Sequence, residues 1–272
     1  MIEPMGSVAW IAIAPVKSMA LHLLERADLD RTGIRGDRAF AIVDPEGRLV
    51  NGKRIGPLAT IRPEVTAGGT CLTLRFPDGL VVEGDVDLGA PMVAMFHGEP
   101  RFVRPTIGPW SEALSAWAGV PLRIVAPVEV GNGIDRGPSA TLLSTSALAR
   151  LAQAGGESTP LDGRRFRMNF GIDGIEAYAE DDWIGRDVRV GSALVRPIGN
   201  VGRCAITTQD PDTGRPSFDT LRYLKITRGD LDTTEPLPCG VYADVIEPGE
   251  VVLGDQIGPV RASVQGPLRA SI

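Results

Sequence analysis

Cysteine and histidine are scarce in this 272-residue chain: three of the former, Cys71, Cys204 and Cys239, and two of the latter, His22 and His97. An odd number of widely spaced cysteines is not a disulfide framework and points to a reducing compartment. There is no C-x-x-C and no Cys/His cluster, which argues against a structural zinc site. Three scattered thiols cannot hold an iron–sulfur cluster. His22 and His97 make no metal site by themselves and read as surface or hairpin residues. Net positive charge is also missing. The balance is −6 and the sequence pI about 5.1, so the basic footprint of a nucleic-acid or anionic-membrane binder is absent. The apolar run Val8–Val16 stops at Lys17, too short for a membrane span. Glu3 stands where a signal peptide would be basic. A soluble, cytoplasmic protein without membrane or nucleic-acid partners is expected. No G-x-G-x-x-G, Walker loop or G-x-S-x-G elbow occurs.

What the chain has is glycine and proline, 33 and 22 residues, within an ordinary globular composition of 43% hydrophobic and 23% charged. That suits short strands joined by tight turns. Hairpins are predicted at Arg38–Val43 with Arg48–Val50 about the turn Asp44-Pro45-Glu46-Gly47. Two more fall at Cys71–Phe76 with Leu80–Glu83, and at Met92–Phe96 with Arg101–Arg104. A helix is expected from Pro109 to Gly119, with Trp110, Leu114 and Trp117 on its core face. Residues 126–138, rich in Gly and Pro, read as a connection. A second helix is predicted from Ser144 or Ser146 to Gly155-Gly156. The second half returns to strands at 165–170, 187–190, 193–197, 241–246 and 250–253, with a short helix over 220–226. The simplest architecture is two β-barrel-like modules with peripheral helices.

Two segments are chemically dense. If Arg165–Phe170 is a strand, Arg165, Arg167 and Asn169 share one face and Phe166, Met168 and Phe170 the other. The polar face is either solvated surface or an anion site, since Arg forks match phosphate oxygens. In the second segment, Arg203 precedes Cys204. The cysteine is either a small buried hydrophobe or a thiolate favoured by the adjacent cation. Asp210–Gly214 is turn chemistry. Lys17-Ser18 adds a cation beside a hydroxyl. The acidic run Glu180-Asp181-Asp182 reads as a solvated turn before Trp183.

Together these residues resemble a family. Pro15-Val16-Lys17-Ser18, Gly36-Asp37-Arg38, Phe166-Arg167-Met168-Asn169, Glu180-Asp181-Asp182-Trp183 and Arg203-Cys204 through Thr207 to Asp210-Pro211-Asp212-Thr213-Gly214 are similar to motifs of the MOSC-domain proteins. That molybdenum-cofactor group includes the mitochondrial amidoxime-reducing component and bacterial relatives. Gly240-Val241-Tyr242, Pro248-Gly249 and Gly254-Asp255 resemble its closing strands. The resemblance implies a mainly β (α+β) fold, with an N-terminal β-barrel-like module over residues 1–125. A cofactor-bearing β-barrel, the MOSC domain, would follow over 126–272. It implies molybdopterin-bound molybdenum with Cys204 as its soft thiolate ligand. Lys17, Ser18, Arg38, Arg167 and Asn169 would hold the pterin and its phosphate. Arg203 would position the metal-bearing loop, and Thr207 and Asp210 would support it. Glu180–Trp183 would be structural, with Trp183 packed. Cys239 stands where the family pattern has an aromatic and is expected to pack, not to ligate. The implied activity is reduction of small N-hydroxylated or related N–O substrates, with electrons from a separate donor protein. The alternatives are a carrier of the cofactor or of sulfur on Cys204, and a non-catalytic ligand-binding module.

Overall fold

The computed structural model describes residues 5–66, 69–128, 140–233 and 235–260. Its centre is a closed barrel of seven strands. Going round the ring, Phe170–Asp173 pairs in parallel with Ala140–Ser144, which is followed by Pro238–Glu247, Ala193–Gly202, Val188–Val190, Gln256–Pro259 and Gly6–Ile13. Gly6–Ile13 then returns antiparallel to Phe170–Asp173 and closes the sheet. Closure leaves no edge to protect. Alternation fills the interior with Val8, Ile11, Leu142, Phe170, Ile172, Val188, Val190, Val195, Val241 and Ala243, all buried. The N-terminal strand therefore completes a barrel built otherwise from the C-terminal half, and its hydrogen bonds cross the boundary placed between residues 125 and 126.

The rest of the N-terminal half forms smaller sheets around a second core. Ala41–Val43 pairs with Leu49–Val50 about the Asp44–Gly47 turn, where Gly47 sits at φ 77°. Cys71–Arg75 pairs with Val81–Asp85, and Met92–Phe96 with Glu99–Ile107, as the turn signals predict. Leu72, Leu74 and Phe76 point inward together. The helix Trp110–Ala118 follows Pro109 at its N-cap and ends on Gly119 at φ 68°, the left-handed close that glycine allows. Trp110 is fully buried, and its indole N–H donates to the Leu72 carbonyl at 2.8 Å. The helices Thr145–Ala154 and Thr220–Arg228 pack outside the barrel around Leu148, Leu151 and Leu224. None of the helices among the described residues is long and apolar enough to cross a membrane. Of the expected 126–138 connection, residues 129–138 lie outside the described residues.

Two expectations are corrected. Residues 165–170 are not a continuous strand. Gly163–Phe166 is a 3-10 turn, Arg167 has φ 55°, and the strand begins only at Phe170. The cause is local: Asp162 caps the turn by accepting from the Arg164 N–H at 2.9 Å, and the Arg167 N–H closes back on the Arg164 carbonyl. Phe166, Met168 and Phe170 are nonetheless all buried. Nor is Glu180–Asp182 a solvated turn. Glu180 is fully buried, and its carboxylate accepts from the Ser144 N–H at 3.1 Å. Asp181 pairs with the buried Arg228 and accepts from the Asn200 amide at 2.8 Å. The expected packing of Trp183 holds; it lies in the barrel core.

Candidate functional site

Where the barrel meets the N-terminal sheets, a cleft of about 260 Å³ opens. Its wall includes Lys17, Ser18, Arg38, Arg167, Asn169, Arg203, Cys204 and Thr207. Eight of the nine sequence-predicted site residues thus converge. The ninth, Asp210, lines a neighbouring cleft of about 800 Å³ that shares Ser18, Arg165, Arg167 and Ile206 with the first but does not include Cys204.

The backbone is bent hard around the first cleft. The described residues contain six non-glycine positions with positive φ, and Ser18, Arg38, His97 and Arg167, at 77°, 50°, 55° and 55°, are four of them. Such conformations are costly for residues with a Cβ and concentrate at functional sites. Here hydrogen bonds hold them. The Arg38 N–H donates to the Ala14 carbonyl at 2.8 Å, and the Lys17 N–H to the Phe40 carbonyl at 2.8 Å.

Asp37 is the hub of the floor. One carboxylate oxygen accepts from the Ala14 N–H at 2.7 Å. The other accepts from the Asn169 amide at 2.9 Å and from the Arg38 guanidinium. Arg38 also donates to the Arg167 carbonyl at 2.9 Å, and Arg167 to the Met19 carbonyl at 2.8 Å. Asn169 is buried, and both its amide protons are engaged, on Asp37 and on the Ala12 carbonyl at 3.1 Å. Its oxygen accepts from Thr141 Oγ1 at 2.9 Å. Asn169 therefore has no proton left for a phosphate. It clamps the two halves of the chain together.

Arg203 is buried and makes no ion pair among the described residues. Its guanidinium donates to the Cys239 carbonyl, the Phe166 carbonyl at 2.9 Å and the Met168 sulfur. Burial lowers its pKa from the ordinary arginine range. Cys204, the next residue, faces the other way and is exposed, not a buried hydrophobe. Its extended backbone starts the 3-10 turn Ala205–Thr208, and its carbonyl accepts from the Thr207 N–H and Oγ1, both at 3.0 Å. The Thr207 carbonyl takes the Thr220 hydroxyl at 2.8 Å. Further on, Asp210 caps its own turn through the N–H groups of Asp212 and Thr213 at 3.1 and 2.9 Å. Gly214 closes that turn at φ 68°, where a Cβ would lie 2.0 Å from the Gly56 carbonyl oxygen. Only glycine lets the loop seat so closely on the N-terminal half. Cys239, by contrast, is fully buried, and burial pushes its thiol up to about 12. It packs, as expected.

Asp37, Thr141, Lys53, His97 and Arg165 also line the first cleft. Asp37 lay within the Gly36-Asp37-Arg38 motif but carried no assigned role. Nothing in the sequence spacing marks Lys53 or His97, because the hairpins that bring them in are a matter of topology. Among the described residues no group of three His, Cys, Asp or Glu is placed to hold a metal ion. Cys204 is therefore the protein thiol that a metal centre in this cleft could use. The donor set suits a sulfur-ligated, phosphate-bearing group: a soft exposed thiol together with Lys17, Arg38 and Arg167.

Comparison with known proteins agrees with this architecture. Residues 5–95 match the MOSC N-terminal beta barrel domain, and residues 137–258 match the MOSC domain. The chain is 26% identical over 295 residues to the mitochondrial amidoxime-reducing component 1 of Xenopus laevis, covering 94% of this chain and 82% of that protein. It is also 26% identical to the human mitochondrial amidoxime-reducing component 1, covering 94% and 84%. Molybdenum cofactor sulfurase of Danio rerio is 25% identical over 79% of this chain, which spans 30% of that longer protein. With both domains in sequence order, this chain belongs to the MOSC-domain family.

Proposed function

We propose that the protein is a molybdenum-cofactor-dependent reductase of N-hydroxylated or related N–O compounds. The observation that carries this reading is the pairing of an exposed Cys204 thiol with Lys17, Arg38 and Arg167 in the lining of one cleft. Cys204 would be the thiolate ligand. Lys17, Ser18, Arg38 and Arg167 would hold the pterin phosphate with charge-assisted hydrogen bonds. Asn169 and Asp37 fix Arg38 and the strand Gly6–Ile13, so their part is to keep the phosphate site in shape. Arg203 holds the Cys239 and Phe166 carbonyls and so aims the Cys204 peptide outward. Thr207 and Asp210 stiffen the loop on either side of its turn. When bound, the cofactor supplies two-electron removal of oxygen from nitrogen, while the protein supplies orientation and electrostatics. The electrons would come from a separate donor protein. The similarity to amidoxime-reducing components supports the choice of substrate class.

The exposure of Cys204 also suits a carrier, in which the thiol presents the cofactor or a persulfide to another protein. One experiment separates the two. Protein produced in a host that makes the cofactor is assayed for molybdenum and pterin, and for conversion of benzamidoxime to benzamidine under a chemical reductant. Stoichiometric molybdenum with turnover supports the reductase. Cofactor that passes to an apo-enzyme without turnover supports the carrier. Absence of both overturns the two readings together.

A further inference from the structure

We infer that Lys53, on the 51–54 turn at the cleft wall, is a substrate-recognition residue, and that the protein prefers N-oxygenated substrates carrying a carboxylate or a similar anion over neutral ones. This rests on the reductase reading above and names its substrate class.

The cleft has a buried floor and an exposed rim. Ser18, Asn169, Arg203 and Thr207 are buried, whereas Lys53, His97 and Cys204 are exposed and Asn51 is half-buried. Cys204 and Lys53 thus share the solvent-exposed part of the cleft. The rim groups come from the N-terminal half, yet they stand beside the Cys204 loop. The Gln209 amide donates to the Gly52 carbonyl at 2.7 Å, and a Cβ on Gly52 would lie 3.9 Å from Ile206. The 51–54 turn thus sits directly on the segment that begins after Cys204.

That turn is rigid. The Asn51 side-chain oxygen accepts from the Lys53 N–H at 3.0 Å, and the Asn51 carbonyl accepts from the N–H groups of Arg54 and Ile55 at 2.9 and 3.0 Å. Its two cations have different fates. Arg54 turns away and pairs with Asp44 at 3.0 Å, leaving the cleft wall. Lys53 lines the cleft, and among the described residues its ammonium has no hydrogen bond or ion pair. The carboxylates nearby in sequence are already engaged: Asp44 with Arg48 and Arg54, and Glu46 with Arg48.

The other cations of the wall are held by protein groups. Arg38 has Asp37 and the Arg167 carbonyl, and Arg167 has the Met19 carbonyl. Arg165 donates to the Thr208 and Gln209 carbonyls and to Ser217, and Arg203 is wholly internal. On a protein of net charge −6, which repels anions at long range, an exposed lysine on this turn, without a partner among the described residues, is an attraction placed where a substrate's far end would rest. Asn51 and His97 line the same cleft.

The assay compares benzamidoxime with 4-carboxybenzamidoxime on the molybdenum-loaded protein under reduced viologen. In each case the N–O bond breaks, two electrons come from the viologen, two protons are taken up, and oxygen leaves as water. The expected result is a kcat/KM about three- to tenfold higher for the carboxylate, expressed in KM, and shrinking as salt rises. Lys53→Gln should bring the ratio to near one, Lys53→Arg should keep it, and Arg54→Gln should leave it unchanged. A wild-type ratio of one or less, or a ratio that survives Lys53→Gln, overturns this inference while the reductase reading stands. Turnover of neither compound overturns both.

Discussion

The floor and the rim of the cleft are built from the same kinds of residue and treat them in opposite ways. Arg203 and Lys53 are both cations, but one is sealed against carbonyls and a thioether while the other stands at the mouth without a partner among the described residues. Cys239 and Cys204 are both free thiols, but one is internal with its pKa raised to about 12 by burial, and the other is exposed. The contrast lies in the wiring, not in residue type. Arg203 and Asn169 spend their side-chain donors on protein groups, so they fix shape. Lys53 and Cys204 stand exposed at the rim. Arg203 and Cys204 are adjacent in sequence and fall on opposite sides of this division, because a single extended peptide turns one side chain in and the next one out.

Exchanging the two cysteines' fates gives the largest expected effect. Cys204→Ser should abolish turnover and change the molybdenum X-ray absorption edge, with unfolding free energy within about 0.5 kcal/mol of wild type, as for other exposed substitutions. Cys239→Ser should do the reverse, lowering stability by about 1–3 kcal/mol for an internal hydroxyl while molybdenum content holds. Full activity in Cys204→Ser, or metal loss in Cys239→Ser, would break the division.

Next comes Arg203. Arg203→Met leaves the Phe166 and Cys239 carbonyls internal and unpaired, at about 1–3 kcal/mol each, partly offset by relief of a buried charge. A net loss of roughly 2–4 kcal/mol is expected in urea titration of the cofactor-free protein. A variant as stable as wild type would mean that Arg203 serves the cofactor and not the floor.

Lys17 and Asn169 sharpen the comparison within the phosphate end. Asn169→Ala should cost about 1–3 kcal/mol of stability even without cofactor, because Asp37 and the Ala12 carbonyl lose a buried donor. Lys17→Ala should instead weaken cofactor retention about 10- to 150-fold, the equivalent of one charge-assisted hydrogen bond. It should also reduce the thermal shift that the cofactor confers. Equal cofactor retention in Lys17→Ala and wild type would remove Lys17 from the site.

Much of this was legible in the sequence, and the rest shows where patterns stop. The hairpins came from turn residues and alternation, which are local. The convergence of Lys17, Arg38, Arg167 and Cys204 came from resemblance alone, since no local rule brings residues 17 and 204 together. The 165–170 strand failed because alternation was satisfied by Phe166, Met168 and Phe170, which are all buried, while Asp162 and Arg164 impose a turn on the backbone beneath them. The resemblance of Phe166-Arg167-Met168-Asn169 implies a phosphate contact for Asn169, but a motif does not reveal that both of its amide protons are engaged by protein groups. Glu180 was read as solvated because an acidic run gives no sign of which carboxylate turns inward.

Glu180 provides the smallest and most specific prediction. One of its carboxylate oxygens accepts from the Ser144 N–H, and the other is buried with no partner. Burial raises its pKa above the ordinary glutamate value. A carboxyl whose pKa is higher folded than unfolded binds more protons in the native state, so it stabilises the fold at acid pH. That contribution is complete below the unfolded value, near 4.5, and is lost as pH rises through the raised folded value. Glu180→Gln keeps an oxygen for the Ser144 N–H and removes the titration. Other carboxylates titrate in the same window, so the quantity to follow is the difference in unfolding free energy, wild type minus Glu180→Gln. It should fall as pH is raised from about 4 to about 7, in the direction set by linkage. A difference that stays flat would mean that folding leaves the Glu180 pKa unchanged, and one that rises would mean that its carboxylate is held ionised in the folded protein.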